Sequence, residues 1–119
     1  MPEKMPRLFV EETERATVVT FSDTEILDSL VVREIQDELL SLVEELERHL
    51  LVLDFSDVKM LSSSMLGVLI RVHHRIVAAR GRMVLCCIAD QILEAFRITH
   101  LDRVFEIFGN REVALRSFK

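Results

Sequence analysis

The chain has only three glycines, Gly67, Gly81 and Gly109, in 119 residues. A phosphate-cradling loop needs G-x-x-x-x-G-K-[ST], and a dinucleotide fold needs G-x-G-x-x-G, because only glycine lets backbone N–H groups close on a phosphate. Neither spacing can be assembled, so nucleotide binding of those kinds is excluded. Lysine is as sparse, at Lys4, Lys59 and Lys119. A receiver domain would need a lysine at the end of a late strand and an adjacent acidic pair before the first helix. The chain offers Asp23 and Glu25, which are not adjacent, and Asp54-x-x-Asp57 in place of an Asp-x-Asp phosphatase pair. The net charge is −5, and the arginines are scattered, so the basic stripe of a nucleic-acid surface is missing. Both prolines, Pro2 and Pro6, lie in the first six residues. Residues 1–6 are therefore expected to fray, with one domain over 7–119. No apolar run approaches the roughly 18 residues of a membrane span. The start "MPEKMPRLF" has no apolar signal core. No membrane partner is expected, and the expected compartment is the cytoplasm.

Cysteine is limited to the adjacent pair Cys86-Cys87. In a strand their side chains should point to opposite faces, which disfavours a disulfide between them. Two ligands cannot close a zinc site alone, so ordinary core packing is the expectation. His73 and His74 would sit about 100° apart on a helix and cannot chelate one ion together, since a zinc pair is spaced i, i+4. Neither metal nor cofactor is expected.

What is present is a regular alternation. Residues 7–13 and 16–22 read as short strands around a turn at Glu14-Arg15. Asp28 or Ser29 caps a helix whose apolar positions are Leu30, Val31, Ile35, Leu39, Leu42, Val43 and Leu46. The uninterrupted "HLLVLDF", 49–55, fits a central strand covered on both faces and ended by Asp54. A second helix spans 64–80, with Met65, Leu66, Leu69, Ile70, Val72, Ile76 and Val77 inward and Gly81 as its C-cap. "RMVLCCI" is a further strand. Asp90 caps the short helix "QILEAFRI", "RVFEIF" is a strand, and Gly109-Asn110 opens a last helix, "REVALRSF". The order β-β-α-β-α-β-α-β-α implies an α/β domain: a mixed, largely parallel sheet of four to five strands with about four helices. In such sheets the functional crevice lies at the carboxyl ends of the strands.

The stretch "KMLSSSMLG" lies there, with three serines inside an apolar run. A hydrolase nucleophile would need Gly-x-Ser-x-Gly, but Leu61 and Met65 flank Ser63. The base would have to be His49, His73, His74 or His100, and His73 and His74 lie turns away on the same helix. Two roles remain. Ser62 or Ser63 can cap the helix. A phosphoserine at a helix N-terminus would be tolerated by its own fold and resisted by a docked partner.

From "LVLDFSDVKMLSSSMLG" to "ITHLDRVFEIFGNREVAL", roughly residues 50–116, the chain resembles a STAS domain of the anti-sigma factor antagonist type. Members typically carry a strand ending in Asp, then an Asp-Ser-Ser/Thr-Gly-Leu-Gly loop, an apolar helix and a closing "GLdklFpif…eeAL" segment. The resemblance implies a non-enzymatic regulatory protein with no catalytic residues. It places a phosphoacceptor at Ser63 and a partner-binding surface of Ser62, Ser63, Ser64, Met65, Leu66, Asp54 and Asp28. The implied partners are an anti-sigma factor that is also a serine protein kinase, and a PP2C-type phosphatase. Ser62 stands where the family has Asp, and Met65 where it has Gly, which implies a more apolar partner surface. The N-terminal Gly-Glu-Leu-Asp signature is reduced to Leu27-Asp28. The alternative is a STAS scaffold that binds a permanent partner or a small apolar or nucleotide ligand, with the serines acting only as caps.

Overall fold

The structure, a computed structural model, describes residues 7–118. The expected fraying of residues 1–6 and the last residue of the expected domain lie outside them. Strands β1 (Leu8–Glu12), β2 (Thr17–Phe21), β4 (Leu50–Asp54), β6 (Arg82–Cys86) and β7 (Glu106–Phe108) form one sheet in the order β1-β2-β4-β6-β7. β1 pairs antiparallel with β2, and the other neighbours are parallel. Strands β3 (Glu25–Ile26) and β5 (Met60–Leu61) make a separate parallel pair that periodicity cannot show, because each has two residues. The helices are α1 (Ser29–Glu44), α2 (Ser63–Ala78), α3 (Asp90–Ile98) and α4 (Arg111–Arg116). A 3-10 turn at Leu101–Arg103 replaces the first part of the strand expected at 103–108.

The strand order explains where the helices lie. From β2 to β7 each parallel crossover steps one strand in the same direction. With right-handed crossovers, α1, α2 and α3 all fall on one face. Leu51, Leu53, Met83 and Leu85 point to that face and pack with Ile35, Leu39, Leu69 and Phe96. Val18, Val52, Val84 and Cys86 point the other way, where Ala114 and Phe118 of the C-terminal segment cover them. β4 is thus the doubly covered central strand that its unbroken apolar run suggests.

Several expectations are corrected. Leu30, Leu46 and Val77 are exposed rather than inward, and α1 ends before Leu46. Val32 and Val68 take the buried positions instead. Asp90 is the first residue of α3, not its cap. The cap position is Ala89, which has no capping side chain. Gly81 does not take the left-handed position after α2; Arg80 does, with φ 62°. The Arg80 N–H donates to the Val77 carbonyl and the Gly81 N–H to the Ile76 carbonyl, a Schellman ending with Arg at the left-handed site.

Candidate functional site

The serine loop is pinned before it reaches the helix. The Lys59 N–H donates to the Thr24 carbonyl at 2.7 Å, and the Ser62 N–H to the Ile26 carbonyl at 3.0 Å. The β3–β5 pair therefore ties this loop to the segment that enters α1. Asp28 caps α1, its Oδ1 accepting from the Leu30 N–H at 2.7 Å. Ser62 caps α2: its backbone is extended and its Oγ accepts from the Met65 N–H at 3.3 Å. This accounts for serine where the family pattern has aspartate. The position needs a short side chain with an acceptor for a free helix N–H, and both residues supply one.

Capping by Ser62 leaves Ser63 and Ser64 exposed in the first turn of α2, with half-buried Leu66 one position past the buried Met65. Met65 is fully buried in the main core. The expectation that it contributes to a partner surface is therefore corrected: its position on α2 points it at the sheet. Asp54 is corrected in the same way. It is 3% exposed and engaged on both oxygens, by the Ser56 N–H at 2.9 Å and the Arg111 Nε at 2.8 Å. It anchors the C-terminal end of β4 to the start of α4.

Arg111 is the residue that sequence reading misses. It bridges Asp54, the Thr20 hydroxyl and Glu11, which lie 57, 91 and 100 residues away in the chain, so no local signal marks it. Burial works to raise the Asp54 carboxyl, but the Ser56 N–H and the Arg111 guanidinium outweigh it and hold it below the ordinary carboxylate range. A depressed folded pKa contributes stability above the unfolded value of about 3.9, and that stability is lost as pH falls through the folded value. Asp54→Asn should therefore cost about 2 kcal/mol at pH 7. That is less than a wholly buried pair would lose, because Arg111 is partly solvated. The gap from the parent should narrow as pH falls below the unfolded value of about 3.9 and vanish below the depressed folded value. Urea denaturation at pH 7, 4 and 3 checks this, and a gap that stays constant with pH would remove the ion pair as its cause.

The cysteines do not point to opposite faces as expected. β6 ends at Cys86, and Cys87 takes φ 61°. This turn puts the two sulfurs and an Asp54 oxygen within 4.8 Å of one another. Among the described residues this is the group that could share a metal ion. The Arg111 guanidinium already neutralises its carboxylate, and burial pushes the Cys86 thiol up. Both cysteines are free thiols.

Neither His73 nor His49 is bonded to the serines. His73 lies ten residues along the same helix from Ser63, about 15 Å at 1.5 Å per residue. Its ring stands edge-on to Phe105 at 5.2 Å, and burial, then His74, hold its pKa down. His49 is held by the Val43 carbonyl at 3.1 Å, in the connection before β4. The arrangement at the serines is thus two exposed hydroxyls on a capped helix, without the parts of a nucleophilic site.

Comparison with known proteins matches this geometry. The STAS domain profile matches residues 8–114. Over 94 residues the chain is 29% identical to BtrV of Bordetella bronchiseptica, assigned as an anti-sigma factor antagonist, across 79% of this chain and 80% of that one. An anti-sigma-factor antagonist (STAS) domain protein from Planctomyces limnophilus superposes with a TM-score of 0.83 at 23% identity, over 96% of this chain and 98% of that one. Bacillus SpoIIAA in its phosphorylated form superposes at 0.70 with 17% identity, over 92% and 98%. The two structural matches speak for the fold alone. The profile covers nearly the whole chain, the mixed five-stranded sheet is the one these structures share, and the chain belongs to the STAS domain family.

Proposed function

We propose that residues 7–119 act as one regulatory unit of the anti-sigma factor antagonist kind. The unit binds a partner through the loop and helix that begin at Ser62, and phosphorylation of Ser63 switches that binding. The partner is an anti-sigma factor that is also a serine kinase, and a PP2C-type phosphatase would reverse the mark. The observation that carries this reading is the division of labour among the serines. Ser62 alone caps the helix, which leaves Ser63 and Ser64 exposed with no structural duty. Exposed apolar side chains flank them: Leu27 directly after β3, and Met60 in β5. A phosphoryl group on Ser63 would bring close to two negative charges into the middle of such an interface.

Asp28 holds the first turn of α1 beside this loop, and Leu66 adds half-buried apolar surface. Met65 and Asp54 act from inside, by fixing the helix and the strand end. Incubation with the cognate kinase and ATP should add one phosphate, and Ser63→Ala should abolish it; intact mass reads both. Ser63→Asp should weaken partner association by about tenfold or more, read by calorimetry. Unchanged association would reject the switch and leave the scaffold reading. One observation favours that second reading: a crevice of about 340 Å³ opens beside Leu66, lined also by Met60, Ile92 and the amine-bearing Lys59, and could take a small amphipathic ligand.

A further inference from the structure

Ser63 and Ser64 are neighbours in sequence but not in surroundings. Ser64, Val68 and Arg71 follow at spacings of four and three, so they share one face of α2, the face toward α1. There a crevice of about 230 Å³ opens between the two helices, with Arg33 and Gln36 on the α1 side. It contrasts with the apolar crevice on the α3 side, which Leu66 lines. Ser63 lines neither of them.

The α1–α2 crevice is basic and has no acid in its lining. Arg71 bonds the neutral Gln36, its Nε donating to Oε1 at 2.7 Å. No ion pair engages Arg33 or Arg71 among the described residues, whereas Arg7, Arg48, Arg75, Arg82, Arg97 and Arg111 are all paired. Two acids of α1 stand near Arg33 in sequence, Glu34 and Asp37, and neither forms an ion pair with it among the described residues. Glu34 holds Arg7, and Asp37 lines the groove beside β1. In a chain of net charge −5, Arg33 and Arg71 bring two exposed guanidiniums to one crevice, and the planar guanidinium is a side chain suited to phosphate. The volume is several times the roughly 30 Å³ share of one water, enough for a phosphate with part of its hydration.

We infer that the crevice between α1 and α2 is a phosphomonoester-binding site formed by Arg33 and Arg71, and that Ser64 is the position from which this chain itself can supply the phosphate. In that case a kinase transfers the γ-phosphoryl group of a nucleoside triphosphate to Ser64 Oγ. The Oγ–P bond forms, the bond to the nucleoside diphosphate breaks, and the hydroxyl proton passes to the kinase's base. The new dianion turns inward to the arginines instead of facing a partner. The two serines would then carry different messages: charge displayed at Ser63, charge captured at Ser64. A phosphate carried by a partner is the other source with the same chemistry. Only the Ser64 source rests on the phosphorylation reading above.

The first arm of the test is an NMR titration of the unmodified full chain with inorganic phosphate, following arginine Nε–Hε signals. Those of Arg33 and Arg71 should move together and saturate. The double variant Arg33→Gln/Arg71→Gln should weaken the response at least tenfold. No movement, or an equal response in the double variant, overturns the site. In the second arm, Ser64→Glu sets a carboxylate beside the arginines and should lower phosphate affinity severalfold, while Ser63→Glu should not. Equal behaviour of the two overturns Ser64 as the source and leaves a partner's phosphate as the ligand. These readouts need no kinase, so they stand or fall separately from phosphorylation of Ser63.

Discussion

Met65→Ala should cost about 3 kcal/mol of folding stability, within the range of 2–5 for emptying a buried methionine site. The family pattern places glycine here, in a loop that serves binding, so the resemblance by itself assigns Met65 to a surface. The structure places the side chain in the core at 0% exposure, packed in the cluster that contains Val58, Leu69 and Phe96. Removing it leaves a cavity between the first turn of α2 and the sheet. That cavity adds its own term to the lost transfer energy, because the surroundings relax only in part. Ser63→Ala, two positions earlier and exposed, should change stability by less than about 0.5 kcal/mol. The two variants therefore separate structure from function: the first lowers the urea midpoint and leaves phosphate incorporation by the folded protein intact, and the second keeps the midpoint and abolishes that incorporation. A Met65→Ala loss below about 1 kcal/mol would mean that the site collapses, and that Met65 is not needed to seat the helix.

Gly81→Ala should cost about 3 kcal/mol or more, at the upper end of overpacking effects. Gly81 is not chosen for a left-handed backbone, since its φ is not positive. It is chosen for room. A Cβ there would lie 2.1 Å from the His49 carbonyl oxygen and 2.7 Å from the His49 Cβ. The same carbonyl accepts the Arg82 N–H at 2.7 Å and so starts the β4–β6 pairing, in which Leu50 faces Arg82. The obstacle is backbone rather than a flexible tip, so β6 would have to move away from β4 at the centre of the sheet. Gly67→Ala is the internal comparison. It sits mid-helix with open space apart from the Arg71 side chain at 3.9 Å, and should gain about 0.5–1 kcal/mol from helix propensity. Thermal melts of the two variants should move in opposite directions. A Gly81→Ala protein that melts with the parent would show that β6 can be displaced at no cost.

The pattern of what could be read from the chain follows the range of the interactions. Asp28 and Asn110 stand where capping side chains are expected, and both make the bond, to the Leu30 and Val113 N–H groups. The buried row Ile35, Leu39, Leu42 and Val43 follows the helical period. Leu30 and Leu46 fit the same period and are nonetheless exposed: Leu30 lies in the first turn of α1, and Leu46 lies past its end. Asp90 looks like a cap and is not one, because the backbone turns one residue earlier. Cys87 leaves the strand through a left-handed turn that no residue type announces, and so its sulfur joins that of Cys86 on one side.

The chain alone carries the order of the five main-sheet strands and the four helices, the largely parallel sheet, and a serine run at the head of α2, but not the short β3–β5 pair. Each of these depends on residues within a few positions of one another, where spacing alone sets which side chains meet. Tertiary structure decided the rest. It turned Met65 inward, joined Arg111 to Asp54 across 57 residues, and set Ser64 opposite Arg33 while Ser63 faces neither crevice. Those contacts depend on sheet register and on the face to which each crossover delivers its helix, and both are properties of the assembled chain rather than of any one segment.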